Sequence, residues 1–375
     1  MKSGLFRIAS AVAMFELGVY VAAYLIYWIV TRPGDSDFGA QYSAAFVGIH
    51  NGWSHIYDSG FLRPVEAANH LDGFSLFQHP APVAWLAVPL TVLPFQWAAL
   101  VWQALLLTAL IVAALLTSPA RRWDRALTLL SVAGFQPVLF ALGYGTMSPL
   151  VLLLLVGTLR ALEGEAPVIA GLMLGLTALK PQLTLLVVPV LLAAGYRKTA
   201  LTTIGVVIGL AVASVAVVGA SGTRDYLSFV SSPYPLNQQQ MPWTLTGLVG
   251  GTGLIYLIAA VVVIVATTVA ANRLRPPPDL ALALGILASL VVSPHLTQGD
   301  FVLWLLPVWL AFRAGRPWWL GAIAALAWVT GWFVQGIPVV SLTGEFALAV
   351  AFVVAGAGGH PVRAPAVAAE LAVPK

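Results

Sequence analysis

Apolar runs recur along almost the whole chain, near residues 8–30, 96–117, 126–142, 147–161, 166–180, 181–196, 199–219, 244–271, 279–293, 301–315, 317–335 and 340–358, with a shorter one at 80–93. A helix needs about 20 apolar residues to cross the hydrocarbon core of a bilayer. Several of these runs are shorter, which predicts spans that are tilted, broken or buried among their neighbours. Hydrophobic residues make up 60% of the 375 positions and charged ones only 9%. No soluble domain of this size needs that much apolar surface. The chain is read as an all-α polytopic membrane protein with about 11–13 hydrophobic helices. The start, "MKSGLFR", imitates a signal peptide. The run after it is long enough to span and no clear small-residue cleavage site follows, so a retained first helix is expected.

A net charge of +4 would suggest a nucleic-acid partner in a soluble protein. Here Lys and Arg collect in short loops that stay on the cytoplasmic side, so no nucleic acid is expected. "RRWDR" (121–125), "RALEGE" (160–165), "YRK" (196–198), "NRLRPPP" (272–278) and "RAGRP" (313–317), with the N-terminus and the tail, account for 14 of the 18 basic residues. Arg32, Arg63, Lys180 and Arg224 are left over. From Arg122 onward, strict alternation then puts "GYGTMS" (143–148), "KPQ" (180–182), the stretch 221–243, "SPHLTQGD" (293–300) and "QGIP" (335–338) outside. Between Thr31 and Arg121 the number of crossings must be odd, so 80–93 is read as a half-length or re-entrant helix ended by "LPF". The organisation is a single transmembrane domain, 1–358, with outer loops 31–79 and 221–243. A cytoplasmic tail, 359–375, is expected to be disordered.

Five of the six histidines, His50, His55, His70, His79 and His295, fall on the outer side. In the first outer loop, "YSAAFVGIHNGW" has helical apolar spacing and is expected to form a helix lying on the membrane. Loops 31–79 and 221–243 would roof a hydrophilic cavity floored by helix ends.

Asp37 follows the first apolar run in "GDSD", where it could cap a helix or sit solvated at the interface. Its company of Arg32, Asp35, Gln41 and Tyr42, in a chain that avoids polarity, equally suits a base that takes a proton from a hydroxyl. Lys180 ends "GLMLGLTALKPQL" just before a helix-breaking proline. It could snorkel to the headgroups, or supply positive charge to an anionic leaving group. His295 and Asp300 share a polar loop, and His79 stands at the entry to the half-length helix. The histidine spacing matches no zinc pattern, and with no cysteine in the chain thiolate sites and disulfides are excluded. Glu16, inside the first helix, is read as packed against another helix, protonated or paired, with a proton relay as the alternative. "GYGTMSP" reads as a turn, or as exposed backbone that meets a ligand.

Several stretches, in order over roughly 30–310, resemble glycosyltransferase family 87. "DSDFGAQYSAAFVGIHNGWSHIYD" (35–58) is similar to the family's opening, and "FQHPAPVAWLAVPLTVLPFQWAALVW" (77–102) to its proline-rich stretch. "GYGTMSPLVLLLL" (143–155), "AGLMLGLTALKPQL" (170–183), "NQQQMPWTLTGLV" (237–249) and "SPHLTQGDFVLWLLP" (293–307) correspond to its later motifs. The resemblance implies a C-type glycosyltransferase fold in the bacterial plasma membrane. It implies transfer of mannose, or next arabinofuranose, from a polyprenyl-phosphate-linked donor to a glycolipid or glycan acceptor on the extracytoplasmic side, with inversion and without a required cofactor or divalent metal. The family's acid falls on Asp37, with Asp35 beside it, and its lysine before proline on Lys180, whose partner would be the donor phosphate. His295, His79, Arg224, Tyr42, Tyr144 and Gln182 are the further substrate-binding candidates. The chain differs from the family in having Tyr144 for a glutamine, His79 for an aromatic, and Gln298, Gly299 and Asp300 where histidines are common. A secondary transporter or flippase is the alternative, since broken helices and intramembrane polar groups also describe one. Against it, no internal repeat is evident and the polar groups gather on one face.

Overall fold

In lipid every backbone N–H and C=O must find a partner within its own segment, so a chain this apolar is driven to helix throughout. The computed structural model describes residues 2–31, 37–71, 77–119, 121–231, 244–249, 251–313, 316–333 and 338–357, and all regular structure among them is helical. The order is α1 (Lys2–Thr31), α2 (Asp37–His50), α3 (Ser59–Ala68), α4 (Ala81–Ala87), α5 (Phe95–Thr117), α6 (Arg122–Ala133), α7 (Gln136–Gly143), α8 (Ser148–Glu163) and α9 (Pro167–Leu176). Then come α10 (Val187–Ala194), α11 (Arg197–Ser231), α12 (Leu245–Val249), α13 (Leu254–Leu274), α14 (Pro278–Val292), α15 (Leu305–Ala311), α16 (Trp318–Thr330) and α17 (Pro338–Ala357). Asp35, the stretch 232–243 and the tail 359–375 lie outside the described residues.

Among the described residues, four helices are long and apolar enough to cross a bilayer, within α5, α11, α13 and α17. The pair α6 and α7, bent by 57°, makes a fifth if taken as one broken span, and six further apolar segments are shorter. Among these short ones is Ala81–Val92, where α4 passes into a 3-10 turn, Val88–Val92. Twelve residues cannot cross the membrane, in keeping with a half-length helix.

The short and broken segments form the centre. Every residue of α14 from Asp279 to Val292 is buried, as is all of α15. Around them α10 packs on α14 and α13, α17 on α14 and α16, α8 on α5 and α9, and α9 on α11. The long helices α11 and α13 lie outermost, with only 11% and 17% of their spanning windows buried. Their outward faces are rows of Val, Leu and Ile such as Ile208, Val212, Leu257 and Val261. Those faces suit lipid.

Three readings change. The helix expected at 42–53 starts earlier, at Asp37, and does not lie on a surface: α3, α4 and α5 close around it and ten of its fourteen residues are buried. Its apolar and small residues are spread over all sides, which is the pattern of an interior helix. The amphipathic helix of this loop is α3, which buries Leu62 and Glu66 and exposes its other flank. The supposed outer loop from 221 is helical as far as Ser231, because α11 resumes after a non-helical residue at Gly219 and packs on a 3-10 turn, Trp53–His55. Glu16 is exposed on α1 instead of packed.

Candidate active site

Three interrupted spans meet at one point. Between α9 and α10 the chain makes two 3-10 turns, Thr177–Leu179 and Pro181–Leu183, with Lys180 between them in a non-helical conformation (φ −135°, ψ 73°). Pro181 disfavours helical geometry at the residue before it and removes a backbone donor. Between α7 and α8 lies the turn that carries Thr146. Between α14 and α15 a 3-10 helix, Gln298–Trp304, begins with Asp300 in its first turn.

Lys180 is 2% exposed and Asp300 fully buried, and their side chains pair at 2.5 Å. The ammonium also donates to Thr146 Oγ1 at 2.8 Å, with Ser148 Oγ at 3.5 Å. Ser148 donates to Asp300 Oδ1, and the Thr297 backbone N–H donates to Asp300 Oδ2 at 2.8 Å. Both carboxylate oxygens of Asp300 are therefore committed. A buried charge survives only with such compensation, since desolvation would otherwise neutralise it.

Asp37 enters from the N-terminal turn of α2, where the helix dipole favours a carboxylate. Its Oδ2 stands 3.9 Å from Lys180 Nζ, and its side chain, 22% exposed, is the more accessible of the two carboxylates. The start of α2 is held by Tyr144, whose carbonyl accepts from the Asp37 and Phe38 backbone N–H groups at 3.2 and 3.3 Å. The next residue, Gly145, has φ +67°, and a Cβ there would lie 2.7 Å from the Cβ of Phe38. Its carbonyl accepts from Trp102 Nε1 at 2.8 Å. "GYG" is thus the clamp that aims Asp37 at Lys180.

His79 and His295 complete the cluster, each within electrostatic reach of Asp37, Lys180 and Asp300. Burial pushes the His79 imidazole down to about 4, with the two carboxylates pulling the other way. Burial likewise holds His295 below the usual histidine range, again against Asp300 and Asp37. Burial thus favours the neutral form of both rings, and His295 Nδ1 is buried without a partner. The His79 carbonyl accepts from the Tyr57 hydroxyl at 3.1 Å, and the Tyr57 ring meets that of Tyr226 of α11 at a tilt of 41°.

Other candidates stand apart from the ion cluster. The Tyr42 hydroxyl donates to the Leu93 carbonyl at 2.9 Å and its ring packs on Phe38 and Phe95. The Tyr144 ring stacks on Phe140, and its carbonyl holds the start of α2. Gln182 is half-buried in the break after Lys180, and Arg224 is exposed on the outer part of α11. Thr146, Ser148 and Asp300 were not selected from sequence as site residues. The available signal was Asp300 itself, an acid at the mouth of an apolar run. Among the described residues no three His, Asp or Glu side chains converge as metal ligands would. The cation between the carboxylates is Lys180.

Among the described residues the chain is all-helical, and its broken helices gather two carboxylates, an ammonium and two imidazoles, the kinds of group that a membrane-embedded group transfer uses. The family model of glycosyltransferase family 87 matches residues 77–294, more than half of the chain, and the protein belongs to that family. It is an integral membrane glycosyltransferase. No curated protein and no solved structure matches it. The matched region contains His79 and Lys180 but stops short of Asp37 on one side and Asp300 on the other. Those two reach the lysine through tertiary packing.

Proposed function

We propose that the protein transfers a sugar, mannose ahead of arabinofuranose, from a polyprenyl-phosphate donor to a hydroxyl of a lipid or glycan acceptor, within a C-type glycosyltransferase fold. The reaction takes place on the extracytoplasmic face of the bacterial plasma membrane. The observation that carries this reading is Asp37, an accessible carboxylate, 3.9 Å from a buried ammonium.

Asp37 takes the proton of the acceptor hydroxyl as its oxygen bonds to the anomeric carbon. The bond from that carbon to the phosphate oxygen breaks, and its electron pair leaves with the polyprenyl phosphate. Two N–H groups of Lys180 make the short bonds to Thr146 and Asp300, and the third, only loosely held by Ser148 at 3.5 Å, can turn to the phosphate. A preorganised cation at the developing charge stabilises the transition state without reorganisation. With both oxygens of Asp300 occupied, Asp37 is the one accessible carboxylate of the described cluster, which favours direct displacement with inversion over a covalent intermediate. The neutral imidazoles of His79 and His295 can donate to phosphate or sugar oxygens. Asp35 is assigned to tuning Asp37 or orienting the acceptor, and Arg224 and Gln182 to the surrounding substrate contacts, while Tyr42 and Tyr144 support the site through packing and the hold on α2.

The test is transfer from radiolabelled polyprenyl-phosphate mannose and arabinofuranose to a membrane lipid extract. Asp37→Asn in folded protein should lower the rate by at least about 100-fold. Equal rates for wild type and Asp37→Asn would remove the base assignment. No transfer from either donor, with uptake of a lipid-linked sugar into vesicles, would establish transport instead.

A further inference from the structure

Gln41 of α2 is fully buried, yet neither its Nε2 nor its Oε1 has a hydrogen-bond partner. Buried polar groups are almost always paired, and an amide left bare on both atoms calls for a cause. Its position supplies one. At 100° per residue Asp37, Gln41, Ala44 and Gly48 share one face of α2. This is the face that presents Asp37 to Lys180 at one end and seats Gly48 against the ring of Trp53 at the other. Phe38 and Tyr42, on the adjoining face, pack against Phe95 instead. Apart from Asp37, Gln41 brings the only polar side chain to a face otherwise made of alanine and glycine.

We propose that Gln41 is a substrate-positioning residue that binds two neighbouring hydroxyls of the acceptor sugar, beside the hydroxyl that attacks. The amide donates from Nε2 and accepts at Oε1, so it matches a vicinal pair in which one hydroxyl accepts and the other donates. One helical turn from Asp37, it fixes the ring that carries the nucleophile, and placement of that oxygen sets the rate of a displacement. The proposal rests on the reading of Asp37 as base for a sugar acceptor. It adds that the acceptor carries a second hydroxyl beside the reacting one. It also adds that recognition is built on an amide kept unpaired in the resting protein.

The test uses the full chain in nanodiscs, with octyl α-D-mannopyranoside and octyl α-D-arabinofuranoside as acceptor probes and decaprenyl phosphate as the donor-side probe, bound at equilibrium. Gln41→Leu should weaken the better-bound glycoside by about 10- to 100-fold and leave decaprenyl phosphate within about twofold. It should leave Tm unchanged or raised, because an apolar group replaces a bare buried amide. A lowered Tm would mean that Gln41 serves the fold, and would overturn the proposal. So would glycoside affinity unchanged by Gln41→Leu, equal weakening of both ligand classes, or no binding of either glycoside to wild type. Asp37→Asn runs beside it: retained glycoside binding with retained transfer would sink the base assignment while leaving Gln41 standing.

Discussion

The bond between Lys180 and Asp300 decides what single substitutions at the centre can do. Both groups are buried and each compensates the other. Removing one leaves a bare charge, which costs about 3–5 kcal/mol, whereas replacing both by apolar groups is often neutral. Lys180→Met should therefore lower Tm sharply, and Lys180→Met/Asp300→Leu should recover much of the loss while transfer stays absent. Thermal denaturation beside the transfer assay separates the two effects. His79 sets a pH dependence. Its folded value, about 4, lies below its ordinary 6.5, so the unfolded chain binds more protons between them. Stability is full above about 6.5 and falls as pH drops toward 4. His79→Gln should flatten that slope in a series of melting curves.

Among the elements, the turn before α8 matters most for the site, because it is what points α2. Gly145 combines a positive φ with close approach to Phe38, and an added methyl meets both restrictions. Gly145→Ala should cost about 1–3 kcal/mol and lower kcat by more than its stability loss explains, since Asp37 shifts with α2. Sequence reading placed "GYGTMS", "KPQ" and "SPHLTQGD" on one side as breaks between apolar runs, and these breaks are where the site is built. It misread α2 as a surface helix for a definite reason. Helical spacing of Phe46 and Ile49 resembles an apolar stripe. Only the burial of Gln41, Ser43 and Gly48 shows that the polar and small positions face protein as well.

Among the described residues, ion pairs gather in two places. Away from the Lys180 cluster, Asp279 at the start of α14 pairs with Arg316 and, at 3.8 Å, with Arg313. Glu163 at the end of α8 pairs with Arg313 and Arg160. The Arg160 guanidinium also donates to the Leu116 carbonyl. Two of the basic loops, 160–165 and 313–317, are thus in contact with each other, and the breaks that carry Thr146, Lys180 and Asp300 are likewise in contact. The protein has no cysteine, so single cysteines report sidedness cleanly. With α11 spanning, an impermeant maleimide should label Arg224→Cys in intact cells and Lys198→Cys only after permeabilisation. Labelling of both in intact cells would overturn the orientation.

Helicity, the approximate bounds of nearly every apolar segment and the common side of the three breaks were determined by the sequence alone. Each is local: an apolar run must be helical in lipid, a proline or glycine interrupts it, and short loops carry their charge bias in plain view. Lys180 was legible for the same reason, as a lone cation closing an apolar run. That Asp300 neutralises it, that the Tyr144 carbonyl holds the start of α2, and that Asp37 comes to stand beside it were decided only by tertiary structure. These contacts join residues far apart in the chain. A carboxylate in a polar loop reads the same whether water, a helix end or a buried ammonium waits across from it, and packing alone chooses among them.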